Sequence, residues 1–419
     1  MMWNIVNKLY HKFSPTNIKF LENDNITTED PLTMANNFAN FWSAESEDVN
    51  FPSLFISSKH NLDCRTNYQI NPNAKKIESE ITLIELNSAL ISSTGKTPGL
   101  DNVQYDMLKN LPFNAKKHLV SLYNEIFNSS NIPQSWKTAT CIPINKPNKP
   151  KNRVEGYRPI SLISCTSKVL EKIITKRLTW FLQRNKLISH QQVAFKPGKG
   201  TLDALVYLDH KMATTISTRN HISIISIDFE KAFDRIGIHT ILSQLMEWKV
   251  GPKILNFIKS FLTNRKIRVK VNGTLSKIRS LNNGIPQGSP LSVVLFQIAT
   301  EKLNKIIIDN RFFSHCIYAD DLYLIAKITE TSIFEREFQK TINEINQWNN
   351  LSGGKISLQK TKILHVCNKK ICSMPNIYIN NNEIQYVENL KILGIIFNKK
   401  YKWSSHVESL KTSLNHRLN

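Results

Sequence analysis

Two adjacent carboxylates, Asp320 and Asp321, stand in Tyr318-Ala319-Asp320-Asp321 between an apolar run ending in Cys316-Ile317 and another beginning Leu322-Tyr323-Leu324-Ile325. Apolar, β-branched and aromatic residues on both sides of so short a polar interruption predict a β-hairpin with acids at its tip. Neighbouring aspartates at a tight turn repel one another, and a cation between them is the simplest physical reason to keep them there. A second apolar strand, Ile222-Ser223-Ile224-Ile225-Ser226-Ile227, runs into Asp228 and then Phe229-Glu230-Lys231-Ala232-Phe233-Asp234. If it neighbours the hairpin, three carboxylates meet at one point. Oxygen ligands favour Mg²⁺ over zinc. Two divalent ions roughly 3.5–4 Å apart are what phosphoryl transfer uses to activate an attacking hydroxyl and to neutralise a leaving pyrophosphate. An isolated Asp-Asp pair reads more readily as a solvated turn than as a metal site; the strand contexts and the third acid reverse that.

Between these acids lies Gly284-Ile285-Pro286-Gln287-Gly288-Ser289-Pro290-Leu291-Ser292. Ser289 predicts a helix N-cap with Pro290 as the first helical residue, and Leu291, Val294, Leu295, Ile298 and Ala299 recur at helical spacing on one face. The loop is thereby pinned to a helix start. Gly284 and Gly288 let the backbone approach a ligand, and Gln287 brings an amide that donates and accepts. A capped helix after a glycine turn explains the same residues without a ligand.

In order and identity these segments resemble the reverse transcriptase domain of non-LTR retrotransposons, most nearly the jockey-like group, from about Ile81 to Trp403. The resemblance is carried also by Lys96-Thr97-Pro98-Gly99-Leu100-Asp101, with Asn102 where a glycine is usual, and by Trp136-Lys137 and Ile142-Pro143-Ile144-Asn145-Lys146-Pro147. Tyr157-Arg158-Pro159-Ile160-Ser161-Leu162 follows, then Phe195-Lys196-Pro197-Gly198-Lys199-Gly200-Thr201, with lysines where arginines are common and Gly200 where serine is usual. Gly353-Gly354-Lys355-Ile356-Ser357 with Lys360-Thr361, and Leu390-Lys391-Ile392-Leu393-Gly394-Ile395, complete the series.

The resemblance implies roles. Asp228, Asp320 and Asp321 would hold two Mg²⁺ ions, with Mn²⁺ able to substitute, and the backbone carbonyl of Phe229 would be a further oxygen ligand. Phe233 stands where a bulky ring lies beneath the sugar of the incoming nucleotide; a ribose 2′-hydroxyl would clash there and go unpaired, which selects deoxynucleotides. Lys146 and Arg158 fall at positions that reach the triphosphate, Arg by a planar fork and Lys as a point charge. Gln287 and Gly288 belong to the nucleotide-binding set. Lys360 matches a lysine that protonates departing pyrophosphate. The implied partners are an RNA template, a DNA primer and deoxynucleoside triphosphates.

Lys+Arg 55 against Asp+Glu 33 gives a formal charge of +22, a field suited to a polyanion and spread along the chain. Lys168, Lys172 and Lys176 recur at four-residue spacing opposite Leu170, Ile173, Ile174, Phe181 and Leu182. In a polymerase finger that basic face tilts toward phosphate contact. No apolar run approaches the roughly 20 residues that cross a bilayer, and Met1-Met2-Trp3-Asn4-Ile5-Val6-Asn7-Lys8 lacks the apolar core of a signal peptide. An intracellular protein is expected, whether nuclear or in a cytoplasmic ribonucleoprotein. Cys64, Cys141, Cys165, Cys316, Cys367 and Cys372 show no paired zinc spacing and are read as reduced thiols.

The expected fold is α/β (α+β), a right-hand polymerase with fingers and a palm around an antiparallel sheet. Residues 1–77, polar but with helical patches such as Met34 to Phe41, are expected to be a linker following an endonuclease not present here, and a reverse transcriptase domain is expected over 126–398. Fingers are placed at about 78–215, palm at about 216–250 and 284–370, and primer grip with an incomplete thumb at 371–419, where Val407, Leu410 and Leu414 begin an amphipathic helix. Neither a ribonuclease H domain nor a zinc knuckle is seen, so the sequence reads as a piece of a longer element-encoded polyprotein. Two alternatives stay open: a catalytically impaired nucleic-acid-binding relic, against which the intact acids speak, and a viral RNA-dependent RNA polymerase, against which Phe233 and Ala319 speak.

Overall fold

The run Ile222 to Ile227 is apolar on both faces because both faces are covered: Ile222, Ile224, Ile225 and Ile227 are all at most 1 % exposed. A strand of this kind belongs at the centre of a sheet. The computed structural model describes residues 18–23, 26–62, 69–95, 97–147, 149–218, 220–310, 312–367 and 374–418. Cys64, Lys96, Cys372 and the N-terminal Met1 to Lys8 fall outside the described residues.

The elements that position the site are, in chain order, helices α1 (Pro31–Ala44) and α2 (Leu83–Ile91), strands β1 (Thr138–Asn145) and β2 (Tyr157–Leu162), and helices α3 (Cys165–Arg184) and α4 (Thr201–Ser217). Strand β3 (His221–Asp228), the single turn α5 (Ala232–Arg235), strand β4 (Arg265–Val271) and helix α6 (Pro290–Asn310) follow. The remainder are strands β5 (Ser314–Tyr318) and β6 (Asp321–Ile328), helix α7 (Thr331–Ser352), strands β7 (Lys362–Val366), β8 (Tyr386–Val387), β9 (Asn389–Ile392) and β10 (Ile395–Asn398), and helix α8 (Ser404–Leu418). They fold as two compact units, one from the described residues within 1–50, 65–179 and 249–292, the other from those within 51–64, 180–248 and 293–419.

In the first unit, β1 pairs antiparallel with β2 (Ile144 opposite Arg158) and parallel with β4 (Thr140 opposite Arg268). Strand β4 alternates, placing Ile267, Val269 and Val271 on a core shared with Cys141, Tyr157 and the apolar face of α1 (Met34, Ala35, Phe38, Ala39, Trp42). The helical patch expected at Met34 to Phe41 lies within α1, capped by Asp30 and beginning at Pro31, but its apolar face is buried in this unit's core, so the middle of 1–77 is not the linker expected. Residues 249–292 likewise join the unit carrying β1 and β2, and 180–217 join the unit carrying β3, so both lie apart from the finger and palm boundaries expected from sequence.

The second unit holds a five-stranded sheet in the order β8-β7-β3-β6-β5. The four strands β7, β3, β6 and β5 are antiparallel, while β8 runs parallel to β7, so the expected antiparallel sheet is mixed at one edge. Ile222 and Ile224 of β3 meet α4 (Ala204, Leu208, Met212) and the hairpin β9–β10 (Leu390, Ile392, Phe397) in one cluster. The outer strand β5 is not left bare: Val193 N–H donates to Ile317 O at 2.9 Å, and Ile317 N–H donates to Gln191 O at 2.8 Å. Gln192 Nε2 donates to Thr300 Oγ1 on α6, and Gln297 Nε2 donates back to Ala194 O, which holds the 191–194 segment on that helix.

Candidate active site

Strands β3 and β6 are in register such that Asp228 faces Asp321, which in turn faces Tyr318 across the hairpin. Opposed residues of an antiparallel pair project to the same face, so two carboxylates are forced together, with Asp320 beside them in the turn. The turn has two residues, Ala319 and Asp320. Ala319 adopts φ 56, the left-handed region that favours glycine, and Lys231, three residues after Asp228, adopts φ 47. Backbone strain of about 1–3 kcal/mol per such residue persists only where the surroundings dictate it, and here it brackets the acids on both strands.

The electrostatics carry the same mark. Burial, followed by the charges of Asp320 and Asp228, pushes the Asp321 carboxyl up to about 6. A cation among these oxygens would relieve that repulsion, and the donor set, carboxylates with backbone oxygen nearby, suits Mg²⁺. The three acids therefore fit the ion expected from sequence. Lys360 Nζ donates to Asp228 Oδ1 at 2.9 Å.

The Gly353-to-Thr361 block is explained by what it threads past. Gly353 caps α7 at φ +86, and a Cβ there would lie 2.5 Å from Arg235 O. Ile356 then bridges Phe229, Glu230 N–H donates to Lys355 O and Ser357 N–H donates to Asp228 O, both at 2.8 Å. The turn that presents Lys360 closes on Ser357, whose carbonyl accepts from Thr361 N–H at 2.9 Å. Phe229 packs edge-on to Trp348 at 6.0 Å between ring centroids.

Phe233 lies on the turn α5, half-buried, with its ring stacked on Phe296 of α6 at 4.6 Å and an interplanar angle of 6°. Phe296 lies outside the helical core positions that spacing picks out. Its signal in sequence is only that of one more apolar residue on α6. Arg235 is a second contributor that motif reading passes over: it is buried, donates to Gly353 O at 3.3 Å and places its guanidinium 4.6 Å from the Phe51 ring.

The remaining expected residues lie on the first unit. Lys146 follows β1, with its N–H on Gly156 O at 2.7 Å and its ammonium on Glu155 O at 2.8 Å. Arg158 is exposed on β2 beside exposed Ile160. The Gln287-Gly288 loop is tied to that strand: Ser161 N–H donates to Gln287 O at 3.1 Å, and a Cβ at Gly288 (φ +111) would meet Ser161 O at 2.9 Å. Ser289 caps α6 as expected, accepting from Leu291 N–H at 3.1 Å. Its hydroxyl is also bonded to Glu171, a carboxyl raised by full burial and bonded to Ser167 as well. Glu171 fixes the loop to α3, and nothing in its sequence context announces this.

The basic ladder on α3 is corrected. Lys172 Nζ donates to Ser92 O and Ser93 Oγ, and Lys176 Nζ to Ser88 Oγ, so two of the three ammonium groups close the C-terminal end of α2. One residue past Lys176, Arg177 is buried, forks onto both Glu85 oxygens at 2.7 and 2.9 Å, and bonds the carbonyls of Ile77, Ser79 and Glu80. Among the described residues no helix is long and apolar enough to cross a membrane. Cys141, Cys165, Cys316 and Cys367 are thiols outside any disulfide.

Residues 144–397, more than half of the chain, match the family described as reverse transcriptase (RNA-dependent DNA polymerase). The chain is 29 % identical over 321 residues to the probable RNA-directed DNA polymerase from transposon BS of Drosophila melanogaster, covering 75 % of this chain and 35 % of that protein. It is 26 % identical over 338 residues to the RNA-directed DNA polymerase from the mobile element jockey of the same organism, covering 80 % and 37 %. The probable polymerase from transposon X-element, again of Drosophila melanogaster, is 25 % identical over 334 residues, covering 77 % and 35 %. The chain thus spans about a third of the length of these relatives. Among solved structures, apo telomerase from Candida tropicalis matches with a TM-score of 0.43 at 14 % identity, covering 67 % of this chain and 59 % of that one.

Proposed function

The chain belongs to the reverse transcriptase (RNA-dependent DNA polymerase) family, and from that premise we propose that it adds deoxynucleotides to a DNA primer 3′-hydroxyl on an RNA template, releasing pyrophosphate. The observation that carries this reading is the register of β3 against β6, which opposes Asp228 to Asp321 with Asp320 adjacent. Asp228, Asp320, Asp321 and the Phe229 carbonyl would hold two Mg²⁺ ions, which supply activation of the primer hydroxyl and charge neutralisation at the leaving group.

The chain's own groups do the rest. Lys360, positioned by its bond to Asp228, is assigned the proton that pyrophosphate takes up. Arg158 and Lys146 bind the triphosphate, the first by a bidentate fork. Gln287 and Gly288 present backbone and amide to the nucleotide. Phe233 excludes the 2′-hydroxyl by shape, and its stack on Phe296 keeps the ring from swinging aside.

Primer extension on matched RNA and DNA templates, with deoxynucleotides and ribonucleotides supplied separately, tests the reading. RNA-templated deoxynucleotide addition is expected, nearly abolished in Asp320→Asn. Primer–template binding should survive that change, because phosphate contacts dominate affinity. Extension by Asp320→Asn at the wild-type rate, in Mg²⁺ or Mn²⁺, would falsify the assignment of that acid.

A further inference from the structure

At the opposite end of β3 from Asp228 the sheet brings together three groups that do not form a local motif in sequence. His221, His365 and Cys367 each offer a ligand atom, and these atoms lie within 4.8 Å of one another. The pairing explains why. Val366 of β7 faces Ile222 of β3 and His365 faces Ser223, so His221 and Cys367 fall opposite each other at the strand ends. Positions 221 and 223 share one face with 365 and 367, and 228 projects from the other face. Seven residue steps at about 3.3 Å put the cluster about 23 Å along the strand from Asp228.

We propose that His221, His365 and Cys367 form a zinc site that clamps the start of β3 to the end of β7. Two imidazoles and a thiolate are a borderline-soft N₂S set suited to Zn²⁺ and unlike the oxygen set of the acids. Zn–N of about 2.0 Å and Zn–S of about 2.3 Å at tetrahedral angles require ligand atoms roughly 3.3–3.6 Å apart. His221 Nε2 and Cys367 Sγ are already 3.9 Å apart, so closure needs side-chain shifts of about an ångström at the third corner. Ser223, fully buried, lies 2.9 Å from His365 Nδ1. Accepting that N–H leaves Nε2 as the ligating nitrogen, the orienting contact that metal-bound histidines make. A water would supply the fourth ligand. Because Cys367 N–H also donates to Lys399 O beyond β10 at 3.3 Å, the clamp would stiffen the route from the central strand to the β9–β10 hairpin.

The test is made on the full chain, exposed to zinc, gel-filtered and assayed for bound metal by elemental analysis. One equivalent is expected in the wild type and in Asp228→Asn, and none in Cys367→Ser or His365→Ala. Cobalt substitution should give a thiolate-to-cobalt charge-transfer band with intense tetrahedral visible bands, all lost in Cys367→Ser. Ser223→Ala should weaken zinc binding by about 10–100-fold. Zinc should raise the melting temperature of the wild type and leave that of Cys367→Ser unmoved, a comparison that stays informative if a variant is itself less stable. Equal zinc content in wild type and Cys367→Ser, loss of the metal in Asp228→Asn, or a cobalt spectrum without the thiolate band would overturn the proposal.

Discussion

Asp321 shows how a single residue ties stability against function. Its folded carboxyl is raised to about 6 from an ordinary 3.8, so the native state holds the proton more tightly than the unfolded chain does. In the metal-free protein, stability is fully present below the ordinary value and falls as pH rises to about 6, by at most about 3 kcal/mol. Replacing the acid with an amide removes that penalty. Asp321→Asn should therefore melt higher than wild type at neutral pH in chelator, while extension is lost; a lower melting point would show that the carboxylate is not the strained group. The same titration predicts that Mg²⁺ affinity, read as a melting shift, weakens as pH drops below about 6, because the ligand must be deprotonated. Ala319 belongs to the same argument. Its left-handed φ of 56 tolerates Ala at a cost but not a β-branched residue, so Ala319→Val should destabilise by about 1–3 kcal/mol and slow extension, with thermal melting and rates measured side by side.

Elements explain why some of the site is legible in sequence and some is not. The hairpin, the central strand and the capped helix after Gly288 are readable because each rests on local signals: alternation or apolar runs, a two-residue turn, a Ser-Pro start. What cannot be read depends on contacts between segments remote in sequence. Glu171 under Ser289, Arg235 against Gly353 and the His221–His365–Cys367 cluster have no local signature, since each becomes meaningful only when segments more than a hundred residues apart are laid side by side. The pair Phe233 and Phe296, nearer in sequence but on separate elements, also has no local signature, and it makes a testable element. Phe233→Val should raise ribonucleotide use relative to deoxynucleotide use by about tenfold or more, the worth of a lost steric contact. Phe296→Leu keeps the helix apolar but removes the stacked ring, and should relax the same ratio by a smaller factor. An unchanged ratio in both variants would leave the ring at Phe233 without a role in sugar choice.

At the scale of the whole molecule, composition implies a basic protein with a sizeable core but not where the chain divides. The observed division departs from the expected boundaries at 249–292 because strand β4 pairs parallel to β1 across more than a hundred residues, and parallel pairing leaves no turn to read between the partners. Residues 180–217 depart for a similar reason, since the 191–194 segment and α4 pack on strands that come later in the chain. Charge is as hard to place from sequence alone: the lysines of α3 form a regular basic face, yet Lys172 is committed to Ser92 O and Ser93 Oγ at the end of α2. This separates two contributions to binding. The formal +22 implies affinity for primer–template that falls steeply with salt; with 6–10 phosphates neutralised, the loss between about 50 and 200 mM is about 10³–10⁵-fold. Any lysine that touches phosphate lowers the slope of log affinity against log salt by about one when removed. Lys172→Gln should leave that slope unchanged and instead lower the melting temperature, because its ammonium is held at a helix end. Binding isotherms across a salt series, run beside thermal melts, decide it: a slope reduced by one with melting unchanged would return Lys172 to the nucleic-acid surface.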